Sequence, residues 1–269
     1  MIGLFAIRNI IKQLNNANLS KVNDFFLKQK INILLGAYTK TYQDRPPPIT
    51  FYRSRALKEK PQNRQDISYP PMDLSPLGRA NRDKESMFYA SGNPAATLFE
   101  LGLAAGDTFA LSTWTSHSDL VLLDIGYTAS SFKKLDSDRA CPVIVPAEKK
   151  LLLEHTQKNQ IIHEFFAKVF TDTNIPENNV HRLSSLIAKG FCQLCKSRGI
   201  EGGIAYPATK IKGNGENIAL PPSYADNHLK LKEVQWCRID HVNESSLEYI
   251  CTPLNSSTSF SENGDIYWD

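Results

Sequence analysis

The pattern of apolar and polar positions divides the chain into a helical beginning and a longer part in which strands and helices mix. Near the start, the apolar residues that recur at roughly helical spacing are Val22, Phe25, Phe26, Ile33 and Leu34. This spacing predicts helical structure over residues 1–44. Pro46-Pro47-Pro48 then ends the pattern and stiffens the chain into an extended connector, so we place a boundary after these prolines.

Patterns typical of strands follow the prolines. They cover residues 49–55, 87–90, 109–114, 120–125, 204–206, 217–220 and 234–239. Helical patterns dominate from 147 to 198, so strands and helices do not alternate one for one. This order favours a mixed α+β sheet over a doubly wound parallel sheet.

We divide the chain into three segments on this basis. Residues 1–48 form an N-terminal helical segment, residues 49–255 form an α+β domain, and residues 256–269 form a tail that opens Ser-rich. The tail is expected to be frayed. Within the domain, the polar residues 57–86 are predicted to form a long loop, and such loops are usually functional or mobile.

Glu100 stands out in the predicted domain, because its carboxylate falls in an almost uncharged stretch. Asn93 followed by Pro94 is typical of a helix N-cap and a first helical position. On that helix Glu100 lies one turn from Ala96 and Thr97, on or beside the apolar stripe. A buried carboxylate is costly without a polar partner, so we expect dry surroundings and either a structural partner or a ligand.

Composition narrows the classes of function. Hydrophobic residues make up 41% of the chain and charged residues 22%, as in ordinary globular proteins. The formal charge of +3 comes with no long basic run, and no apolar stretch approaches the length of a membrane span. We therefore expect neither a nucleic acid nor a membrane as partner. Five cysteines, an odd count, favour a reducing cytosol over a disulfide framework.

No metal is expected. Cys192 and Cys195 have the spacing of zinc ligands, but the sequence has no second pair of that kind. On a helix the two thiols fall on nearly one face, where they fit a core better than a metal site. His155 and His163 have no carboxylate-rich cluster near them in the sequence.

Three groups have the chemistry to meet an anion or a flat ring. Arg53 and Arg55 project to the same face of a predicted strand, and arginine binds phosphate with paired hydrogen bonds. Gly78-Arg79-Ala80-Asn81 suits a tight loop near an anion, and Tyr89 suits an aromatic wall. Each group also has a plain structural interpretation as edge-strand arginines, a common loop sequence, or a core tyrosine.

Ser184 precedes an apolar helical run and is predicted to be the N-cap of that helix. This structural role accounts for the residue by itself. A helix N-terminus also favours anions and polar ligand atoms, so both roles are compatible.

Taken in order, these pieces form a pattern that resembles the RES family, named for its arginine, glutamate and serine. The matching stretches are Phe51-Tyr52-Arg53, Gly78-Arg79-Ala80-Asn81, Met87-Phe88-Tyr89-Ala90, Ala96-Thr97-Leu98-Phe99-Glu100, Leu183-Ser184 and Gly203-Ile204-Ala205-Tyr206-Pro207. The resemblance spans residues 49–240 and rests on short motifs in a fairly specific order. It does not cover the N-terminal helical segment.

The resemblance implies a fold similar to that of ADP-ribosyltransferase toxins and an enzyme that consumes NAD as its substrate. Most members are bacterial toxins paired with helix-turn-helix antitoxins of the Xre type. By position, the active site would contain Arg53, Tyr89, Glu100 and Ser184, with Arg79 and Asn81 lining the pocket. The implied setting is a bacterial cytoplasm with an antitoxin or an immunity protein as partner. Delivery into another cell and the oligomeric state are left open.

The chain departs from the family pattern at one position. Many relatives have serine after the Tyr-Pro pair, where this chain has Ala208 followed by Thr209. We take Ser184 as the family serine, and the adjacent Ser185 stays an alternative.

The implied reaction breaks the bond between nicotinamide and ribose. Nicotinamide leaves as a neutral group while positive charge builds on the ribose, so the reaction needs a fixed carboxylate beside that sugar. Glu100 would supply it, with an arginine close by to keep it ionised. Arg53 would hold the pyrophosphate, and Tyr89 would pack on the nicotinamide or its ribose. Ser184 would orient that ribose or Glu100 itself.

Three hypotheses stay open at this point. The leading one is an NAD-degrading enzyme, either a glycohydrolase that uses water or a phosphorylase that uses phosphate. The second is a mono-ADP-ribosyltransferase that modifies a protein; such enzymes often carry Glu or Gln two residues before the catalytic glutamate, where this chain has Leu98. The third is a non-catalytic interaction module, suggested by the helical segment and by Ala208.

Overall fold

The computed structural model describes residues 2–38, 43–127, 153–172, 176–197, 199–212 and 215–269. The chain forms two compact units that interleave along the sequence. The first unit consists of Met1–Gln43, Met72–Glu85 and Leu122–Pro207. The second unit consists of Asp44–Pro71, Ser86–Val121 and Ala208–Asp269. The domain boundaries after residues 48 and 255 stay predictions.

Helices and strands are numbered in chain order. The described helices are α1 (Leu4–Asn15), α2 (Asp24–Ala37), α3 (Arg64–Ile67), α4 (Pro94–Leu101), α5 (Leu153–Thr171), α6 (Glu177–Lys196) and α7 (Pro222–His228). The described strands are β1 (Gln43–Arg45), β2 (Thr50–Ala56), β3 (Phe88–Ser91), β4 (Thr108–Ser116), β5 (Leu120–Asp124), β6 (Gly203–Pro207), β7 (Glu216–Leu220), β8 (Leu229–Asn243), β9 (Glu248–Ser257), β10 (Ser259–Phe260) and β11 (Ile266–Tyr267).

The described part of the chain contains antiparallel and parallel strand pairs together with helices, which confirms the predicted mixed α+β class. Each stretch that was predicted as a strand overlaps an observed strand. The first part of the predicted helical region, residues 147–152, lies outside the described residues. Among the described helices, none is both long and apolar enough to cross a lipid bilayer.

The first unit is built mainly from helices α1, α2, α5 and α6, with β5 and β6 paired in parallel. Helix α2 confirms the prediction of an N-terminal helix, but it buries Leu27, Ile31 and Leu34. Phe25 is 66% exposed and Ile33 is 42% exposed. The buried face of α2 is therefore rotated away from the predicted face that contains Phe25 and Ile33. The residues that pack against the helix determine which face is buried.

A half-buried polar pair joins the end of α2 to α5 in the first unit. The Tyr38 hydroxyl lies 2.8 Å from Nδ1 of His163, and Nε2 of His163 lies 2.6 Å from the carbonyl oxygen of Tyr127. A neutral His163 with its proton on Nε2 satisfies both contacts, since it donates to the carbonyl and accepts from the hydroxyl. Burial lowers the pKa of His163, which favours this neutral form.

The second unit contains an antiparallel sheet with strand order β7-β3-β2-β4-β8-β9. Adjacent residues on a strand point to opposite faces, so Phe109 and Ala110 of β4 mark the two sides. The first side carries the buried hydrophobic cluster of Leu98, Phe109, Cys237 and Ile239, and we name it the α4 face. The second side carries the buried hydrophobic cluster of Ile67, Ala110, Val234, Trp236 and Ile266, and we name it the α3 face.

The C-terminal tail is ordered, so the prediction that it is frayed is wrong. Strands β10 and β11 pair, and Ile266 is buried on the α3 face. The Trp268 indole donates to the carbonyl of Pro61 at 2.8 Å, and the Ile266 N–H donates to the carbonyl of Gln62 at 2.8 Å. Burial of the apolar side chains of Ile266 and Trp268 orders the tail although it begins with serines. The bonds to Pro61 and Gln62 also hold part of the predicted 57–86 loop in place.

Candidate functional site

Helix α4 begins as its sequence predicts. The Asn93 side chain accepts a hydrogen bond from the N–H of Ala95 at 2.9 Å, and Pro94 takes the first helical position. Gly102 ends the helix in the left-handed conformation, with φ of 63°, which a residue without Cβ adopts at little cost. The predicted N-cap is confirmed, and Glu100 lies in the last turn of the helix.

Three contacts fix α4 on the α4 face of the sheet. The buried hydroxyls of Thr97 and Ser54 lie 2.5 Å apart, which joins the helix to β2. Leu98 is buried against Phe109, and the carbonyl of Leu98 accepts a hydrogen bond from the Tyr249 hydroxyl of β9. The backbone that carries Glu100 is therefore held on both sides.

Glu100 itself is exposed, so the prediction of dry surroundings is wrong. Helix α4 ends at Leu101, one residue after Glu100, and the following Gly102 has no side chain to cover the carboxylate. One carboxylate oxygen, Oε1, accepts a hydrogen bond from Nδ2 of Asn217 at 3.0 Å. The arginine that was expected close to Glu100 stays a prediction.

The register of neighbouring strands brings Asn217 to Glu100. Asn217 of β7 pairs with Ser91 of β3, and Ser91 pairs with Tyr52 of β2. Tyr52 in turn pairs with Thr113 of β4. Thr113 lies four residues after Phe109 on the same strand, so both side chains point to the α4 face. Directly paired side chains point to the same side, so Asn217 lies on the face that carries α4.

Asn217 is the site residue that the sequence did not single out. It is 6% exposed, while the residues that follow it in β7, Ile218, Ala219 and Leu220, are buried and apolar. A polar side chain at the start of an otherwise apolar strand is the signal that could have found it. A buried amide needs a hydrogen-bond partner, and the Glu100 carboxylate provides one.

Tyr89 shares the α4 face with Glu100 and Asn217. It stands two residues before Ser91 on β3 and pairs with Ala219 of β7, so strand alternation directs it to the same side. The side chain is half-buried. An aromatic ring is thus placed on the same face as the fixed carboxylate.

Arg53 lies on the α3 face instead. Its partner on β4 is Ser112, and its guanidinium lies 5.7 Å from the centroid of the Phe88 ring. The guanidinium donates from Nη1 to the carbonyl oxygen of Tyr89 at 2.7 Å and from Nε to the carbonyl oxygen of Ser68 at 3.1 Å. Arg53 therefore contacts the backbone of the strand that carries Tyr89.

Strand alternation separates Arg53 from Glu100. The two residues were expected to bind neighbouring parts of one dinucleotide, but their side chains start from opposite faces of the sheet. Burial is the main cause that lowers the pKa of Arg53 to about 9, and repulsion from Arg55 adds to it. The guanidinium remains positively charged at neutral pH.

Arg79 and Asn81 belong to the first unit. Nη1 of Arg79 donates to the carbonyl oxygen of Phe170 at 2.6 Å. Asn81 is 3% exposed and donates from Nδ2 to the carbonyl oxygens of Pro76 and Arg82, at 2.8 Å each. These bonds close the loop and give Asn81 a structural role, while its contact with a ligand stays a prediction.

Ser184 lies inside α6, so the prediction that it caps a helix is wrong. The helix begins at Glu177. Val180, Leu183 and Ile187 are buried at helical spacing, which extends the apolar stripe upstream of the serine. Because the apolar stripe of α6 begins before the most apolar part of the sequence, the helix also begins before Ser184.

The two adjacent serines differ in their contacts. The Ser184 hydroxyl is fully buried and has no hydrogen-bond partner among the residues that the structure describes. The Ser185 hydroxyl donates to the carbonyl oxygen of His181 at 2.5 Å and accepts a hydrogen bond from Arg82 at 3.2 Å. Which of them matches the family serine stays open.

Among the residues that the structure describes, no cluster of three or more His, Cys, Asp or Glu side chains could hold a metal ion. Cys195 is buried in α6 and its Sγ donates to the carbonyl oxygen of Phe191 at 2.9 Å, while Cys192 is half-buried. This placement agrees with the prediction that the two thiols belong to a helix packed against a core.

Comparison with known proteins does not identify the chain. No protein-family model matches it, and a search of the curated proteins finds no match.

Proposed function

We propose that the protein is an NAD-degrading enzyme that cleaves the bond between nicotinamide and ribose. The observation that carries the proposal is the carboxylate of Glu100, which is exposed at the surface while its Oε1 is held by the buried Asn217 amide. A carboxylate that is fixed before the reaction stabilises developing positive charge without having to reorganise.

The proposed reaction needs little from the protein beyond this charge. The electron pair of the bond between ribose C1′ and the pyridinium nitrogen moves to the nitrogen, and nicotinamide leaves as a neutral molecule. Water then adds to C1′ and loses a proton, which gives ADP-ribose. One preorganised contact of this kind is typically worth about 3–4 kcal/mol, or roughly 10²- to 10³-fold in rate.

The exposure of Glu100 sets a condition on this mechanism. Water screens a charge strongly, so an exposed carboxylate stabilises the ribose less than a buried one would. The substrate must therefore cover the carboxylate when it binds, and Tyr89 on the same face offers a ring against which the nicotinamide can pack. We assign Tyr89 this packing role.

Arg53 is proposed to support the site from the other side of the sheet. Strands β2 and β3 pair at Tyr52 and Ser91, and the bond from Nη1 of Arg53 to the Tyr89 carbonyl fixes β3 beyond that pair. Arg53 thus acts as a positioning residue for Tyr89.

The rest of the proposal depends on the resemblance to the RES family. It extends the active site to Arg79, Asn81 and Ser184. It also suggests a bacterial toxin that acts on cytoplasmic NAD and is controlled by a helix-turn-helix antitoxin or an immunity protein.

Transfer of ADP-ribose to a protein is the weaker alternative. A transferase would use a polar side chain two residues before Glu100 to activate its acceptor. That position is Leu98, which is 6% exposed and packs in the core of the α4 face, so it can neither bind nor activate an acceptor. This placement favours water or phosphate as the acceptor.

Product analysis tests the proposal. Purified protein is incubated with NAD labelled in the adenine ring, with and without phosphate, and the small molecules and the protein are analysed separately. We expect free nicotinamide, with the label in ADP-ribose or in its phosphorylated form. Intact NAD after prolonged incubation would refute the proposal. Label attached to protein would favour the alternative, in which ADP-ribose is transferred to a protein.

A further inference from the structure

Arg45 and Glu216 form a buried ion pair in the second unit. Arg45 is the last residue of β1, directly before the three prolines, and Glu216 is the first residue of β7. Nη1 of Arg45 lies 2.5 Å from Oε1 of Glu216, and Nη2 lies 3.2 Å from Oε2. The two side chains are only 7% and 13% exposed. Two parallel hydrogen bonds fix the orientation of both groups as well as the distance between them.

Glu216 stands next to the residue that holds Glu100. Asn217 follows it in β7 and donates from Nδ2 to Oε1 of Glu100 at 3.0 Å. Neighbouring residues of a strand point to opposite sides, so the Glu216 side chain points away from the α4 face on which Asn217 lies. The ion pair with Arg45 is therefore behind the site, and its effect on Glu100 passes through the backbone of β7.

The backbone of Glu216 also connects the ion pair to the start of α4. Its carbonyl oxygen accepts hydrogen bonds from the Ser91 hydroxyl at 2.6 Å and from the N–H of Gly92 at 3.0 Å. The Ser91 hydroxyl in turn accepts a hydrogen bond from the N–H of Asn93, the N-cap of α4, at 3.2 Å. The helix that carries the carboxylate and the strand that carries its amide partner thus meet at Glu216.

We propose that Arg45 and Glu216 are positioning residues for the Glu100 carboxylate, an inference that rests on the function proposed above. Asn217 is only the second residue of β7, and the ends of structural elements open more easily than their centres. The ion pair holds the first residue of the strand, and with it the amide that orients the carboxylate. Because both charges are buried, separating them would leave each one uncompensated away from water, which keeps the pair closed.

Nicotinamide release and thermal unfolding of wild type, Arg45→Lys and Arg238→Lys test the proposal. Lysine keeps the positive charge but lacks the planar fork that binds both carboxylate oxygens. We expect Arg45→Lys to lose about tenfold in kcat at an unchanged KM, because a displaced amide disturbs the carboxylate rather than substrate binding. Arg238→Lys is the matched control and should keep wild-type kinetics, since Arg238 pairs with Asp240 at the surface of the same unit. A folded Arg45→Lys protein with wild-type kcat would overturn the proposal, as would a higher KM, which would indicate direct contact with the substrate.

A double-mutant cycle separates positioning from a general loss of stability. If Arg45 acts through Asn217, Arg45→Lys should lower kcat no further once Asn217→Ala is present. Equal losses with and without Asn217→Ala would contradict the proposal. If Arg45→Lys does not fold, the double variant Arg45→Met with Glu216→Met takes its place, because it leaves neither charge buried alone. It should fold and show the same loss in kcat, and a wild-type kcat in this variant would count against the positioning role.

The NMR signal of the Asn217 side-chain amide tests the same inference without NAD. Glu100→Gln should shift this signal in otherwise wild-type protein, because it replaces the charged partner of Nδ2. When Arg45→Lys is also present, the shift should be smaller, since the amide no longer faces the carboxylate. An equal shift in both proteins would refute the positioning role. Absence of nicotinamide release from wild type would refute the proposed function alone, so the two failures are distinguishable.

Discussion

Replacing Asn217 tests the role of Glu100 without touching the carboxylate. The Asn217 amide is 6% exposed and lies 3.0 Å from Oε1, so the bond is shielded on the amide side. A hydrogen bond to a charged group contributes about 1.5–3 kcal/mol, and Asn217→Ala removes it entirely. If catalysis needs the carboxylate in this orientation, kcat should fall about 10- to 100-fold while KM changes little.

Asn217→Asp sharpens the test because it keeps the size of the side chain and reverses the interaction. Two like charges about 4 Å apart near a protein surface repel by about 4 kcal/mol. The new carboxylate should therefore push Glu100 out of place, and kcat should fall further than in Asn217→Ala.

The assay is steady-state release of nicotinamide by wild type, both Asn217 variants and Asn255→Ala, with thermal unfolding measured for each protein. Asn255 is the control, since its amide donates to the carbonyl of Asp269 and not to the site. A folded Asn217→Ala protein with wild-type kcat would refute the positioning role, as would an equal loss in the control.

Three other substitutions test the packing within the two units. Thr97→Val leaves the buried Ser54 hydroxyl without the partner 2.5 Å away, so the free energy of unfolding in urea should fall by about 1–3 kcal/mol; an unchanged value would mean that the contact does not hold α4. Gly126→Ala should lower it by about 2 kcal/mol or more, because φ is 83° and the new Cβ would lie 2.9 Å from Cβ of Phe170; a fully stable variant would contradict that geometry. Burial lowers the pKa of His163 below 6.5, so the unfolded chain binds the proton more readily and the contribution of His163 to stability is lost as pH falls through the folded pKa. The stability advantage of wild type over His163→Gln should therefore shrink from about pH 7.5 to pH 5, and a constant difference would show that His163 does not titrate on unfolding.

The sequence predicts α4 well because its signals are local. Asn93 and Pro94 each act on the backbone within one turn, so the start of the helix and the presence of Glu100 on it could be predicted from neighbouring residues. The exposure of Glu100 could not be predicted in this way. It depends on the helix ending one residue later and on what packs against it, which local periodicity does not reveal.

The partners of the site residues depend on pairing between distant strands. Asn217 meets Glu100 only because β7 pairs with β3 in one register, and the sequence separation of the two residues hides this. The same holds for Arg53, whose face of the sheet is fixed by its pairing with β4. Ser184 shows the opposite error, in which a local cap signal was outweighed by the longer apolar stripe of α6.

The most direct test of the account compares nicotinamide release by wild type, Glu100→Gln and Glu262→Gln at saturating NAD. Glu262 is an exposed glutamate of the same unit and serves as the matched control. The account predicts that Glu100→Gln loses at least about 10²-fold in kcat with its fold intact, while Glu262→Gln keeps the wild-type rate. Equal rates in all three proteins would contradict it.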